Sequence, residues 1–413
     1  MVAHSATLAI NERLAARRAA GERVVHLGFG EAGLPVPGFI AEQLRGAAGR
    51  NGYGPVAGSP GVRRAAAGYF TRRGITTQPE QIVTAPGSKA LLYALIAALP
   101  GDVILPRPSW VSYAAQAALA GKRVHWADIP EEAGGVPDPG ALTAAVHAAR
   151  RAGQRPGVLV LTVPDNPTGT VATAEHVKQV CAIAEEHGLA VISDEIYRDL
   201  AAAPASVRSP AEFLPQQCFV TGGLSKSLAL GGWRIGFARF PHSDLGERTL
   251  DAVIGIASEV WSSLAAPMQD VAAYVLDEPS EVREHVAAGR KLHAAVAQAV
   301  YREFVAAGAA CRQPTAAFYL YPDLSPLAGL GRHGLAGADA VAGFLLDKHG
   351  VGVLSGAAFG DHPDAPRFRV ATSLLYGESE EQRWQALSSD APAELPWVAA
   401  ALTQLRTALA DLR

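Results

Sequence analysis

What most limits the fold open to this chain is the alternation of short β-rich runs with longer helical patterns. The runs cover residues 82–85, 103–105, 123–127, 158–163, 190–193, 218–221 and 235–240. Helical stretches such as 87–98 and 174–186 lie between them. Apolar runs too short for helices, separated by helix-length segments, predict an α/β fold with a mostly parallel seven-stranded sheet covered on both faces. In 174–186, Thr173 offers an N-cap, and Val177, Val180, Cys181 and Ala184 make an i, i+3, i+4, i+7 stripe. From about Ser258 to Ala307 the pattern reads as helical throughout, and 314–324 opens a new block. The expected division is an N-terminal segment, 1–45, contributing to a small α+β domain; a large domain, 46–300; and the rest of the small domain, 301–413.

Composition narrows the function. With 413 residues, 49% hydrophobic and 18% charged, the chain can bury a large core. A net charge of −3 with dispersed basic residues leaves no footprint for nucleic acid or an anionic membrane, so small molecules are the expected partners. Residues 1–21 run through Arg13, Arg17 and Arg18 without an apolar core, and no apolar run approaches ~18 residues. A cytoplasmic location is expected. Cys181, Cys218 and Cys311 lack the spacing of a metal site or a disulfide framework. Lysine occurs only at 89, 122, 178, 226, 291 and 348, which leaves few candidates for covalent chemistry.

Four segments carry more polarity than a scaffold needs. Residues 28–33 match G-x-G-x-x-G, but a dinucleotide fingerprint needs a helix to begin inside it, and Pro35 and Pro37 favour a loop instead. Residues 193–197, Ser-Asp-Glu-Ile-Tyr, and 166–169, Asn-Pro-Thr-Gly, each end a predicted strand, where open α/β sheets gather ligand-binding side chains. Alone, the first could be a helix cap and the second an ordinary turn. In 221–236, Ser225-Lys226 precedes a glycine-rich loop and Arg234, a set suited to holding a phosphate beside an amine.

In order and spacing these motifs resemble those of the class I and II aminotransferases of pyridoxal 5'-phosphate (PLP) fold type I, in the aspartate, aromatic and kynurenine branch. The likeness runs from about Ala6 to Ser373. It implies that Lys226 carries the cofactor and moves the proton, that Asp194 pairs with the pyridine nitrogen, and that Asn166 and Tyr197 donate to the phenolic oxygen. Gly87, Ser88, Lys89, Ser225 and Arg234 would hold the phosphate, the first three at a helix N-terminus. Trp110 would stack on the ring, Tyr53 would reach the phosphate of a partner subunit in a homodimer, and Arg369 would clamp the substrate's α-carboxylate beside Gly30. No metal is implied.

Departures concern the substrate more than the cofactor. Gly223 stands where many members carry a phosphate-binding serine, residues 30–33 read Gly-Glu-Ala-Gly in place of Gly-Glu-Pro-Asp, and 374–396 form an insertion before a last helical stripe at Val398, Leu402, Leu405, Leu409 and Leu412. Glu259 and Trp261 fall where partner residues approach the substrate, although Glu259 also reads as a solvated helix charge. The resemblance implies transfer of an amino group between an L-amino acid and a 2-oxo acid. The alternatives are elimination, replacement or oxygen-dependent oxidation with the same cofactor, or a sensing domain derived from the fold. With no second arginine placed to read a dicarboxylate, aspartate is not the expected first donor.

Overall fold

The computed structural model describes residues 6–413; residues 1–5, part of the expected segment 1–45 and of the stretch read for a leader, lie outside the described residues. Strand β1 (Val25–His26) precedes seven strands of one sheet: β2 (Ile82–Pro86), β3 (Asp102–Arg107), β4 (Val124–Asp128), β5 (Pro156–Thr162), β6 (Ala190–Asp194), β7 (Cys218–Gly223) and β8 (Ile235–Arg239). Their spatial order is β2-β8-β7-β6-β5-β3-β4, and only β8 runs antiparallel to its neighbours. This is the predicted α/β architecture.

Alternation along each strand supplies both faces of the sheet. On β5, Val158 and Val160 pack with Phe219 and the helix Ser88–Ala98, whereas Leu159 and Leu161 pack with Val220 and the helix Ala174–Glu186. Each such side chain, fully withdrawn from water, is worth about 1.5–3 kcal/mol of driving force. The helix Ala174–Glu186 keeps its predicted bounds: Thr173 accepts from the His176 N–H, and all four stripe residues are buried.

A second apolar cluster joins Val25, Leu27 and Leu34 to the helices Ser280–Ala307, Gly337–His349 and Pro396–Asp411. It backs β9 (Tyr319–Leu320) and β12 (Phe368–Ala371), which with β11 (Leu354–Ser355) form a small antiparallel sheet, while β10 (Val351–Gly352) pairs with β1. Val398, Leu402, Leu405, Leu409 and Leu412 are all buried there. Among the described residues no helix is long and apolar enough to cross a membrane.

The reading of 258–307 as continuously helical is corrected. Three helices occupy the region, Asp244–Val260, Ala266–Leu276 and Ser280–Ala307. Ser262 and Glu278 take φ of 63° and 55° at the breaks, and Pro267 and Pro279 flank the restarts. The stretch 374–396 is built from two short turns and the helix Glu380–Ser388, which lies on Ser280–Ala307. Residues 28–33 form a loop after β1, and the next helix begins only at Gly38.

Candidate active site

Parallel strands end on one edge of the sheet, and the polar residues predicted there converge. Thr162, Asp194 and Thr221 are register neighbours across β5, β6 and β7. The Asp194 carboxylate accepts from the Tyr113 hydroxyl at 2.8 Å and from Thr221 Oγ1 at 3.2 Å. It has no ion-pair partner among the described residues, and burial lifts its pKa to about 6 against the pull of those two hydroxyls.

Asn166 Nδ2 donates to the Tyr197 hydroxyl at 3.2 Å, leaving Asn166 Oδ1 buried without a partner. The turn bearing Asn166 is held by Asp165, whose Oδ2 accepts from the Thr168 N–H at 3.0 Å and from its hydroxyl at 2.6 Å. Gly134 is required beside it, since a Cβ there would stand 2.2 Å from that carboxylate oxygen. Lys226, in the short helix that follows β7, donates from Nζ to the Gly30 carbonyl at 2.5 Å. Burial lowers its amine to about 8, and the Arg369 and Arg234 guanidinium charges push the same way.

Gly87, with φ of 87°, caps the helix Ser88–Ala98. A Cβ on Gly87 would lie 2.2 Å from Arg234 Nη2, and one on Gly236 would lie 2.2 Å from the Ser88 nitrogen, so bare backbone, a helix N-terminus and a guanidinium are stacked into one cradle. Gly223 faces the Ile235 carbonyl, where an added Cβ would sit at 3.0 Å. The Lys89 ammonium stands 5.0 Å from the centre of the Trp110 ring. On the opposite wall Arg369, 1% exposed, donates to the Gly28 carbonyl at 2.7 Å, its Nε has no partner, and no carboxylate pairs with it among the described residues.

A cavity of about 340 Å³ gathers Gly30, Ser88, Lys89, Trp110, Asn166, Asp194, Tyr197, Ser225, Lys226, Arg234 and Arg369. Gly87 lies just behind its wall against Arg234. Tyr53 is elsewhere, 93% exposed and in a surface cleft with Arg50 and Gln269. Glu259, exposed at the end of its helix, and Trp261 also lie outside the cavity. Among the lining residues that the sequence reading did not assign to the site are Tyr113, Thr162 and Tyr319. Tyr113 sits one helical turn after Trp110, a spacing that would have flagged it; Tyr319 was read only as part of the block 314–324.

These residues fit PLP on structural grounds. A buried carboxylate without a cation suits a protonated ring nitrogen, a glycine-lined helix N-terminus with Arg234 suits a phosphate dianion, and Lys226 offers an amine with a lowered pKa.

Comparison with known proteins agrees. The family described as aminotransferase class I and II matches residues 23–375. The chain is 32% identical to the aspartate aminotransferase of Geobacillus stearothermophilus, over 92% of this chain and 95% of that protein. It is 31% identical to the aspartate/prephenate aminotransferase of Thermus thermophilus, over 93% and 94%. The solved aspartate aminotransferase of Thermus thermophilus with maleate superposes with a TM-score of 0.80 at 31% identity, covering 94% of this chain and 97% of that one.

Proposed function

The chain belongs to the class I and II aminotransferases, a PLP-dependent family, and on that premise we propose that this cavity is where its amino group transfer takes place. The observation that carries the assignment is the pair of buried, opposite, unpaired charges, Asp194 and Arg369. A buried charge left alone costs several kcal/mol, so the cavity is shaped for a cation at one wall and a carboxylate at the other.

When bound, the cofactor supplies a ring that accepts the electron pair left on the substrate's Cα. Asp194 holds a proton on the ring nitrogen, with Tyr113 and Thr221 orienting its oxygens. Asn166 and Tyr197 would donate toward the phenolic oxygen, while Ser88, Lys89, Ser225 and Arg234, together with the Gly87 backbone, would hold the phosphate. Trp110 would cover the ring. The Arg369 fork takes the α-carboxylate in a two-point contact and so orients the Cα–H bond. Lys226 Nζ would hold the cofactor and, as a free amine, would remove the substrate's Cα proton and return one; its lowered pKa keeps much of it neutral near pH 8.

For the donor side chain, the relatives named above are an aspartate and an aspartate/prephenate aminotransferase. Those names support an acidic donor, contrary to the expectation drawn from the missing second arginine. A homodimer with Tyr53 reaching the partner's phosphate, a cytoplasmic location and the domain division 1–45, 46–300 and 301–413 complete the proposal. The test is a scan of amino donors and 2-oxo acids that follows conversion of the bound cofactor to its amine form. Stoichiometric conversion restored by an oxo acid is expected, with aspartate or glutamate ahead in kcat/KM. Release of ammonia or consumption of oxygen in its place would defeat the assignment.

A further inference from the structure

Tyr319 is a fully buried residue at a junction of the cavity walls. It opposes Ala371 in the β9–β12 pair, two residues from Arg369 and so on the same face of that strand. Its hydroxyl lies 2.9 Å from the Tyr197 hydroxyl, and the Arg369 guanidinium carbon lies 5.2 Å from its ring centre. Its hydroxyl and its backbone each press against a glycine. A Cβ on Gly30 would stand 2.5 Å from its hydroxyl, and one on Gly169, which closes the turn carrying Asn166, would stand 2.0 Å from its backbone carbonyl.

We propose that Tyr319 is a positioning residue of the transfer reaction, its hydroxyl setting the donor direction of Tyr197 and its ring bracing Arg369. The proposal rests on the site reading above. A hydroxyl has one proton to give. If Tyr197 gives its proton to the cofactor's phenolic oxygen, its own oxygen is left as an acceptor for Asn166 Nδ2 at 3.2 Å and for the Tyr319 hydroxyl at 2.9 Å. The other acceptor near Tyr319, the Gly30 carbonyl, is 3.5 Å away, at the limit of a hydrogen bond. Donation from Tyr319 polarises the Tyr197 O–H and strengthens it toward the phenolic oxygen. With the Phe359 ring, 5.1 Å from the guanidinium carbon, and the Gly28 carbonyl, the Tyr319 ring face helps to hold a guanidinium that has no counter-ion until a carboxylate arrives. One side chain thereby couples the cofactor's oxygen wall to the carboxylate clamp.

Two variants of the cofactor-loaded enzyme separate the two contacts. Tyr319→Phe keeps the ring and removes the proton; the midpoint of the cofactor's visible-band pH titration should rise by roughly half a unit, and kcat should fall while KM for the amino donor stays nearly constant. Tyr319→Leu removes the ring as well and should raise KM about two- to tenfold for every amino donor. In a Tyr197→Phe background, Tyr319→Phe should move the midpoint no further. An unmoved midpoint in the single Phe variant, or an equal shift in the Tyr197→Phe background, would overturn the positioning role. A wild-type protein without a titrating band, or Lys226→Ala protein that keeps the wild-type titration, would instead overturn the site reading and this proposal with it.

Discussion

Asp194, 3% exposed, is a carboxylate folded into a place where only a cation makes it stable. In the cofactor-free protein its pKa is near 6, against 3.8 for the free group. A folded-state pKa raised in this way contributes stability that is fully present below the unfolded value and lost as pH rises through the folded one. The loss is about 3 kcal/mol once the carboxylate is charged. Urea unfolding of the apoprotein should therefore show Asp194→Asn gaining on the wild type between pH 4 and 6 and holding that lead at higher pH, while its turnover with cofactor falls by orders of magnitude. A lead that stayed constant across that pH range would contradict an Asp194 without a counter-ion. Arg369→Lys should lower kcat/KM for all amino acids alike, because an ammonium cannot reproduce the guanidinium's two-point contact. Steady-state kinetics over several donors checks this, and a loss confined to one donor would place the clamp elsewhere.

Elements, more than single residues, set how the phosphate cradle and the wall behind Tyr319 are built. The cradle depends on Gly87, where positive φ and contact with Arg234 leave no room for a side chain. Gly87→Ala should displace Arg234 and weaken cofactor retention, measured by dialysis against phosphate buffer, with little loss of helix content. Behind the other wall, His293 on the helix Ser280–Ala307 meets the Tyr376 hydroxyl at 2.6 Å and packs beside Phe318. Burial lowers its pKa to about 3 from 6.5. A base depressed in the fold contributes stability that is whole above pH 6.5 and lost as pH falls toward 3. Replacing His293 by Phe should flatten that acid limb in thermal unfolding scans, whereas an unchanged limb would assign acid sensitivity to other groups. Because Tyr376 is core, the segment 374–396 is anchored to the wall that carries Phe318 and Tyr319 rather than hung from the surface.

On the scale of the whole molecule, Tyr53 at 93% and Val260 at 64% exposure are unusual for such side chains. The proposed homodimer, in which a partner subunit covers Tyr53 and receives it at its phosphate, would account for that exposure. Mixing inactive Tyr53→Ala and Lys226→Ala proteins under conditions that exchange subunits should restore part of the activity, since one site in each heterodimer would be intact. Activity that stays absent after exchange has been demonstrated by mass would rule out a composite site.

What this chain determines by itself is what neighbours in sequence can encode. The seven strands and the helix Ala174–Glu186 follow from local period and from Thr173 as a cap, and the strand-end motifs mark the edge where the cavity lies. The breaks at Ser262 and Glu278 were legible in Pro267 and Pro279, which the reading of 258–307 as continuously helical passed over, whereas their turns of positive φ leave no periodic trace. The remainder was decided only by tertiary structure. Tyr319 meets Tyr197 across 122 positions, and Tyr113 meets Asp194 across 81. Both are ordinary tyrosines until packing aims them. The missing partners of Asp194 and Arg369 are likewise invisible in a sequence that holds many possible counter-ions, because whether a charge is paired depends on which residues the fold brings within a few ångströms of it.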